Sequence, residues 1–430
     1  MKIGSASLLL FLAACSGRDA ALVESRFEVT DSAGVQIITN WGPEEEGATR
    51  LTVVEDLRLG VVEGEDQAEM FHQVHDLLVD IDGTIFVGNN QTGTVRVFSP
   101  EGVFLREFGG RGEGPFEIER LLNDLFWAGD SVVLVDWQGA GKAIVFTKDG
   151  EFVTSWRTRT PDWHRIVPMG LGPRGWIANY YLPTSGEQVE PGKPIERERD
   201  LWLSVPSADS VGPALYDLPP IVLYGTNAGG KDWPLFQSDR DFALDASGNL
   251  FFRDGAEYRI DMFGPDGALR RSIRRDIPLV PISETDIEEY RDLLRRHYDT
   301  MTSGDPARRR REVERSLERL DEQAELPRPN TVPPLGRLLV AHSGAVWAER
   351  IDQRPLADWW HDRMYRRFDA VPKVATFWDV FSPEGRLLGM VELPPRFNPM
   401  AVTDSTVVGV FKDGLDVEFV LRFSIQKQGR

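Results

Sequence analysis

The sequence of 430 residues is short of several things at once. It has one cysteine, Cys15, so no internal disulfide can form and the fold must be stable without one. Positive charge is scarce: 49 Lys and Arg stand against 68 Asp and Glu, a formal charge of −19. A surface of that sign lacks the basic footprint that nucleic acid requires and the polybasic hold on anionic lipid. There is no Gly-x-Ser-x-Gly elbow, which removes the α/β-hydrolase class. Six histidines leave only His72-x-x-His75 at metal-ligand spacing, with no third ligand nearby, and a structural role is expected for the pair. Long apolar runs are also missing. The stretch from Ile3 to Cys15 is too short for a bilayer-spanning helix, which needs about 20 residues.

What is present is a repeat. Residues 77–108 read as four short strands of alternating or β-branched residues, separated by Asp-Gly, Asn-Asn and Pro-Glu-Gly turns. The pattern returns at 122–156, at 242–273 and, with an insertion, between Leu338 and Val391. Its marker is an aromatic strand end followed by a Gly turn: VFSPEG at 97–102, VFTKDG at 145–150, MFGPDG at 262–267 and VFSPEG at 380–385. Weaker units lie at 166–217 and 400–425, the last with about three strands. Such small antiparallel sheets cannot bury both faces alone, and radial stacking into a β-propeller answers that. The expected fold is all-β, a six-bladed β-propeller of four-stranded antiparallel blades across residues 27–430. Gly34–Asn40 is expected to close the ring by completing the C-terminal blade.

Residues 283–325 break the rhythm. Ser283 with Asp286 makes a capping box, and Ile287, Tyr290, Leu293, Leu294 and Tyr298 fall on one helical face. Val313, Leu317, Leu320 and Ala324 form a second such face after the Gly304-Asp305-Pro306 turn, so a helical hairpin insertion is expected. Trp359 and Trp360 are candidate partner anchors, or core of their own insertion.

Chemistry is sparser. Gly109–Pro115 lacks the Lys-Ser/Thr of a phosphate loop and reads as a connector, with Arg111 and Glu113 candidates to project from it. Alignment of the repeats puts Asn89 (with Asn90), Asp136, Asn179, Asp254 and Glu349 at one equivalent point, the end of the second strand. If these carboxylates and amides converge on a central channel they form a ligand-binding site, and oxygen donors of that kind suit Ca²⁺. The opposing expectation is that Asn and Asp supply turn chemistry at strand ends. No cofactor or metal is assigned on this basis, and no catalytic residue.

Two resemblances add to this reading. Residues 80–109, in the pattern DxDGxIFVxNxxxxxVxVFxxxGxFLxxFG, resemble NHL-repeat-type six-bladed propellers. DSAGVQIITNWGP and FGGRGEGPFEI look like the six-bladed β-propeller lipoproteins of environmental bacteria. Leu12-Ala13-Ala14-Cys15 resembles the bacterial lipobox, behind a charged start (Lys2) and an apolar run. That resemblance implies a signal peptide over 1–14, lipid on Cys15 and a polar tether over 15–26. With Ser16 rather than Asp next, sorting to the outer membrane of the cell envelope is implied. The functional expectation is a lipid-anchored, non-enzymatic binding module for a protein, peptide or glycan. A metal-dependent lactonase-like hydrolase, by similarity to gluconolactonase-like propellers, is the alternative. The anchor has a direct test: Cys15→Ser should move the protein from the membrane to the soluble fraction and abolish lipid labelling, and unchanged membrane association would refute it.

Overall fold

The computed structural model describes residues 26–41, 50–61, 69–120, 122–136, 141–157, 165–172, 175–181, 189–197, 200–204, 211–216, 221–227, 230–237, 241–300, 305–365 and 371–426. Cys15 and most of the expected tether lie outside these residues. The described chain is mostly β with three helices.

Four sheets follow the expected rhythm. Sheet 1 contains Val74–Val79, Ile85–Asn89, Thr94–Phe98 and Phe104–Gly109. Sheet 2 contains Asp124–Ala128, Ser131–Asp136, Lys142–Thr147 and Phe152–Arg157. Sheet 4 runs from Asp241–Leu244 through Leu250–Arg253 and Arg259–Phe263 to Leu269–Arg275. Sheet 5 runs from Leu335–Val340 through Val346–Arg350 and Thr376–Phe381 to Leu387–Leu393. The weaker sequence units also form sheets. Sheet 3 is Arg165–Gly172, Gly175–Tyr181, Asp200–Ser204 and Val211–Tyr216. Pro194–Arg197 of its insertion pairs with Ile221–Gly225, which follows the sheet, in a separate three-stranded sheet.

Sheet 6 corrects one expectation. Its strands Phe397–Val402, Thr406–Lys412 and Glu418–Gln426 are completed by Arg50–Leu59, which pairs antiparallel with Glu418–Gln426. Gly34–Asn40 does not do this. Val35–Trp41 instead adds in parallel to Leu269–Arg275 of sheet 4, and Arg26–Ser32 extends that sheet by a hairpin. The start of Arg50–Leu59 also pairs in parallel with Met390 and Val391 of sheet 5. The N-terminal chain thus covers the outer edges of sheets 4, 5 and 6, where unpaired N–H and C=O groups would otherwise be exposed.

The repeated Gly turn has a packing reason. In all four copies the turn glycine donates its N–H three residues back, as Gly102 does to Ser99 and Gly385 to Ser382. All four glycines sit in the left-handed region, φ 83° to 88°, which a side chain disfavours. Three of them press on the sheet before. A Cβ on Gly102 would lie 2.8 Å from Leu57 and Leu59, one on Gly150 2.9 Å from Phe108, and one on Gly385 2.8 Å from Ile273. The motif seen in the sequence is therefore the place where consecutive sheets touch.

Between sheets the contacts are largely apolar, with a buried charged group joining sheets 4 and 5. Phe86, Val95 and Phe108 of sheet 1 pack with Leu125, Leu134 and Ile144 of sheet 2. Between sheets 4 and 5, Asp379, fully buried, accepts hydrogen bonds on Oδ2 from Tyr258, from Arg275 at 2.7 Å and from Arg350 at 3.1 Å. Burial, then the Asp379 charge, hold the Tyr258 hydroxyl well above its ordinary pKa, so it stays a donor. Arg350 is also bound by Asp352 at 2.6 Å and 2.8 Å.

The helical insertion is as expected and larger. Helix α1 (Glu284–Thr300) begins with the Ser283–Asp286 capping box: the Ser283 N–H donates to Asp286 at 2.7 Å. Helix α2 (Pro306–Glu325) starts with Asp305 accepting from the Ala307 N–H. A third helix, α3 (Leu356–Tyr365), follows sheet 5's second strand and packs against α1. Ile287, Tyr290, Leu294 and Leu320 meet Trp359 and Trp360 in one core cluster. Removing Asp379 leaves the buried Arg275 guanidinium without its carboxylate partner, which should cost about 3–5 kcal/mol. Urea unfolding of Asp379→Ala is expected to show that loss, and an unchanged midpoint would show that the group does not join the sheets.

Candidate functional site

The first strand of every sheet sits at the end of its sheet, with one edge unpaired by another strand. These six strands touch in a cycle: sheet 1 to 2, 2 to 3, 4 to 5, 5 to 6 and 6 to 1. The sheet 3 to 4 link is a close approach, in which a Cβ on Gly170 would lie 2.7 Å from Leu244. All six contribute to one central cavity of about 360 Å³, within the range of small-ligand sites. Its lining includes Leu78, Phe126, Trp127, Phe242, Leu339 and Met400. The turns after the first strands, with Gly129, Asp245 and His342, mark one end. The helices are at the other end, since α1 and α2 lead into Leu335 and α3 follows Arg350, which pairs with Leu335.

Unpaired strand edges leave backbone groups that need partners. Side chains of the preceding sheet supply them. Asp76 of sheet 1 accepts from the Leu125 N–H of sheet 2 at 2.8 Å. Asp241 of sheet 4 accepts from Leu338 of sheet 5 at 2.6 Å, and Glu418 of sheet 6 from Val74 of sheet 1 at 2.8 Å.

The sequence-derived site residues have similar tasks. Asn89 is buried, with Asn90 beside it accepting from the Leu122 N–H at 3.0 Å. Asp136 is fully buried and accepts from the N–H groups of Glu119 and Arg120 at 2.9 Å and 3.2 Å. Glu349 accepts from Arg337 N–H at 3.1 Å and meets Arg354 at 3.5 Å. Asp254 accepts from Ala256 N–H at 3.1 Å within its own turn. Asn179 lies in a strand opposite Val167 and Leu201, and its side chain is outside the described residues. Asn89, Asp136 and Glu349 fall at or next to the ends of second strands, Asp254 just after one and Asn179 within one, and the described acidic members engage backbone amides or arginine. Among the described residues, no group of three or more His, Cys, Asp or Glu is placed to hold a metal ion. Arg111 binds the carbonyls of Asn90, Gln91 and Arg120, so it fastens the Gly-rich connector, while Glu113 is exposed. Trp359 and Trp360 are buried at 5% and 0% exposure, which makes them core of the helical insertion and not surface anchors.

Asp76 is the residue that sequence reasoning missed. It lines the cavity, and its partners are two neutral donors, the N–H groups of Leu125 and Leu77, each at 2.8 Å. Burial pushes its carboxyl up to about 7, against the lowering effect of those two N–H groups. Among the described residues no cation pairs with it. The only sequence signal was an acid inside the apolar strand VHDLLV.

The folded-state pKa lies above the ordinary 3.8, so the native protein holds the extra proton between roughly pH 4 and 7. The Asp76 contribution to stability is therefore fully present below that window and lost as pH rises through it. Asp76→Asn is expected to flatten this part of the melting temperature against pH profile and to melt higher than wild type at pH 8. Parallel profiles for the two proteins would refute a raised Asp76 carboxyl.

No family model and no curated protein sequence matches the chain. Among solved structures, it is similar to a Bacteroides fragilis protein designated exported, at 12% identity and TM-score 0.45, covering 91% of this chain and 100% of that one. It is similar to virginiamycin B lyase from Staphylococcus aureus at 9% identity and TM-score 0.38, covering 88% and 100%. It is also similar to regucalcin, a calcium-binding protein from Agrobacterium tumefaciens, at 10% identity and TM-score 0.36, covering 89% and 97%.

Proposed function

We propose that the protein is a lipid-anchored six-bladed β-propeller of the cell envelope that acts as a binding module, taking part of a protein, peptide or glycan partner into its central cavity. The observation that carries this reading is the cavity itself, to which the first strands of all six sheets contribute. Such a site is formed by the whole ring and by no single sheet, so it is rigid before ligand arrives and little ordering cost attends binding. The acidic surface adds long-range attraction for a cationic partner. Attachment through lipid on Cys15 suits a body whose charge gives it no hold on anionic membranes.

The metal-dependent hydrolase reading has less support. Asp136 and Glu349 already serve backbone amides and arginine, so binding a cation would require breaking those bonds.

Filling the cavity tests the proposal. Ala401 lines it and is half-buried, packed beside the apolar core that joins sheets 6 and 1. With wild-type protein, chemical cross-linking in whole cells is expected to give a discrete adduct that Ala401→Phe abolishes while membrane attachment and melting temperature are kept. An adduct that persists in the filled variant would place partner binding elsewhere.

A further inference from the structure

The central cavity contains a carboxyl with no countercharge. Asp76 accepts from two backbone N–H groups and makes no ion pair among the described residues. A carboxylate has about four acceptor positions, so two N–H partners leave capacity unused. Enclosing an unpaired carboxylate is costly, and a cation brought beside it would offset that cost. The surrounding wall combines two kinds of surface. Unpaired edges of the first strands present backbone groups, and Leu78, Phe126, Trp127 and Leu339 present apolar ones.

We propose that Asp76 is the seat for the ammonium of a lysine side chain carried by a peptide segment of a basic partner. This rests on the central cavity being the binding site, and it names the chemistry that the site selects. A lysine stem is slender and apolar, and its ammonium donates to the acceptor positions of the carboxylate that the two N–H groups leave open. The peptide to which it belongs has its own N–H and C=O groups to set against the unpaired strand edges, which a free amine lacks. The formal charge of −19 favours approach of a basic segment and disfavours an acidic one.

Calorimetric titration of the purified full chain tests this. The probes are acetyl-Gly-Lys-Gly-amide, the same peptide with Nε-acetyllysine, the same peptide with glutamate, and n-butylammonium. The lysine peptide is expected to saturate wild type, with at least tenfold weaker binding of the other three. Asp76→Asn is expected to lose at least tenfold for the lysine peptide alone. Equal binding of lysine and acetyllysine peptides by wild type would overturn the proposal without recourse to any variant, as would unchanged affinity in folded Asp76→Asn. Butylammonium binding as tightly as the peptide would overturn the peptide assignment. Ala401→Phe separates the two levels of the argument. If all probes bind alike and the filled variant stops them, the cavity is the site and the ammonium assignment is wrong. If probes bind and the filled variant leaves them unaffected, or if none binds wild type, the cavity reading fails with it.

Discussion

Six sheets that meet at their first strands leave six unpaired strand edges facing one another, and the rest of the structure depends on how those edges are satisfied. A buried N–H without an acceptor costs about as much as a lost hydrogen bond, so leaving several open would consume much of a typical domain's stability. The chain meets this with carboxylates from one sheet that accept from the next, as Asp76, Asp241 and Glu418 do. These bonds also set the spacing of the strands, and hence the existence of a cavity in place of a collapsed core. Outer edges carry the same liability and receive a different remedy: the N-terminal chain runs over them, with Val35–Trp41 on sheet 4 and Arg50–Leu59 on sheets 5 and 6.

Much of this architecture was legible because its repeated unit has a repeated packing job. The Gly at the end of VFSPEG or VFTKDG must adopt a left-handed conformation and must also lack a side chain where the preceding sheet presses on it. Both demands act on the same letter, so the glycine recurs in repeats whose other positions differ. The closing strand was misassigned for the opposite reason. Gly34–Asn40 is a short run rich in β-branched residues with few charges to obscure it, whereas Arg50–Leu59 reads RLTVVEDLRL, with charges that mask its periodicity. Being outermost, that strand needs only some of its side chains buried, and Leu59 is the one that becomes part of the core. Parallel addition to an existing sheet has no local signature at all.

The site was legible in register and illegible in direction. Asn89, Asp136 and Glu349 do fall at or next to the ends of second strands. A strand end says nothing about whether its side chain points along the sheet to the centre or across to a neighbour's backbone, and the described acidic members turn to backbone or to arginine. Helices α1 and α2 were readable from period and caps. Helix α3 was not, since ten residues give too few turns for a clear apolar stripe, and its two tryptophans look alike on a surface or in a core.

Asp76 is the point where stability and the proposed binding pull apart. For holding sheet 2, an acceptor oxygen is all that the Leu125 N–H requires, and asparagine would provide it with no charge to bury. The acid that stands there has its pKa pushed up to about 7 by burial, so near neutral pH the fold carries an ionisable group at a cost. A second acid in the same kind of position, Asp241, shows that carboxylates serve well as sheet latches. What distinguishes Asp76 is its surroundings: it borders the cavity, meets only neutral donors and has acceptor capacity left over. Those are the conditions under which a latch can also be an electrostatic seat, because a cation bound there returns the energy that the unpaired charge takes from the fold. Stability measured without ligand should then understate how well the ring holds together when the cavity is occupied.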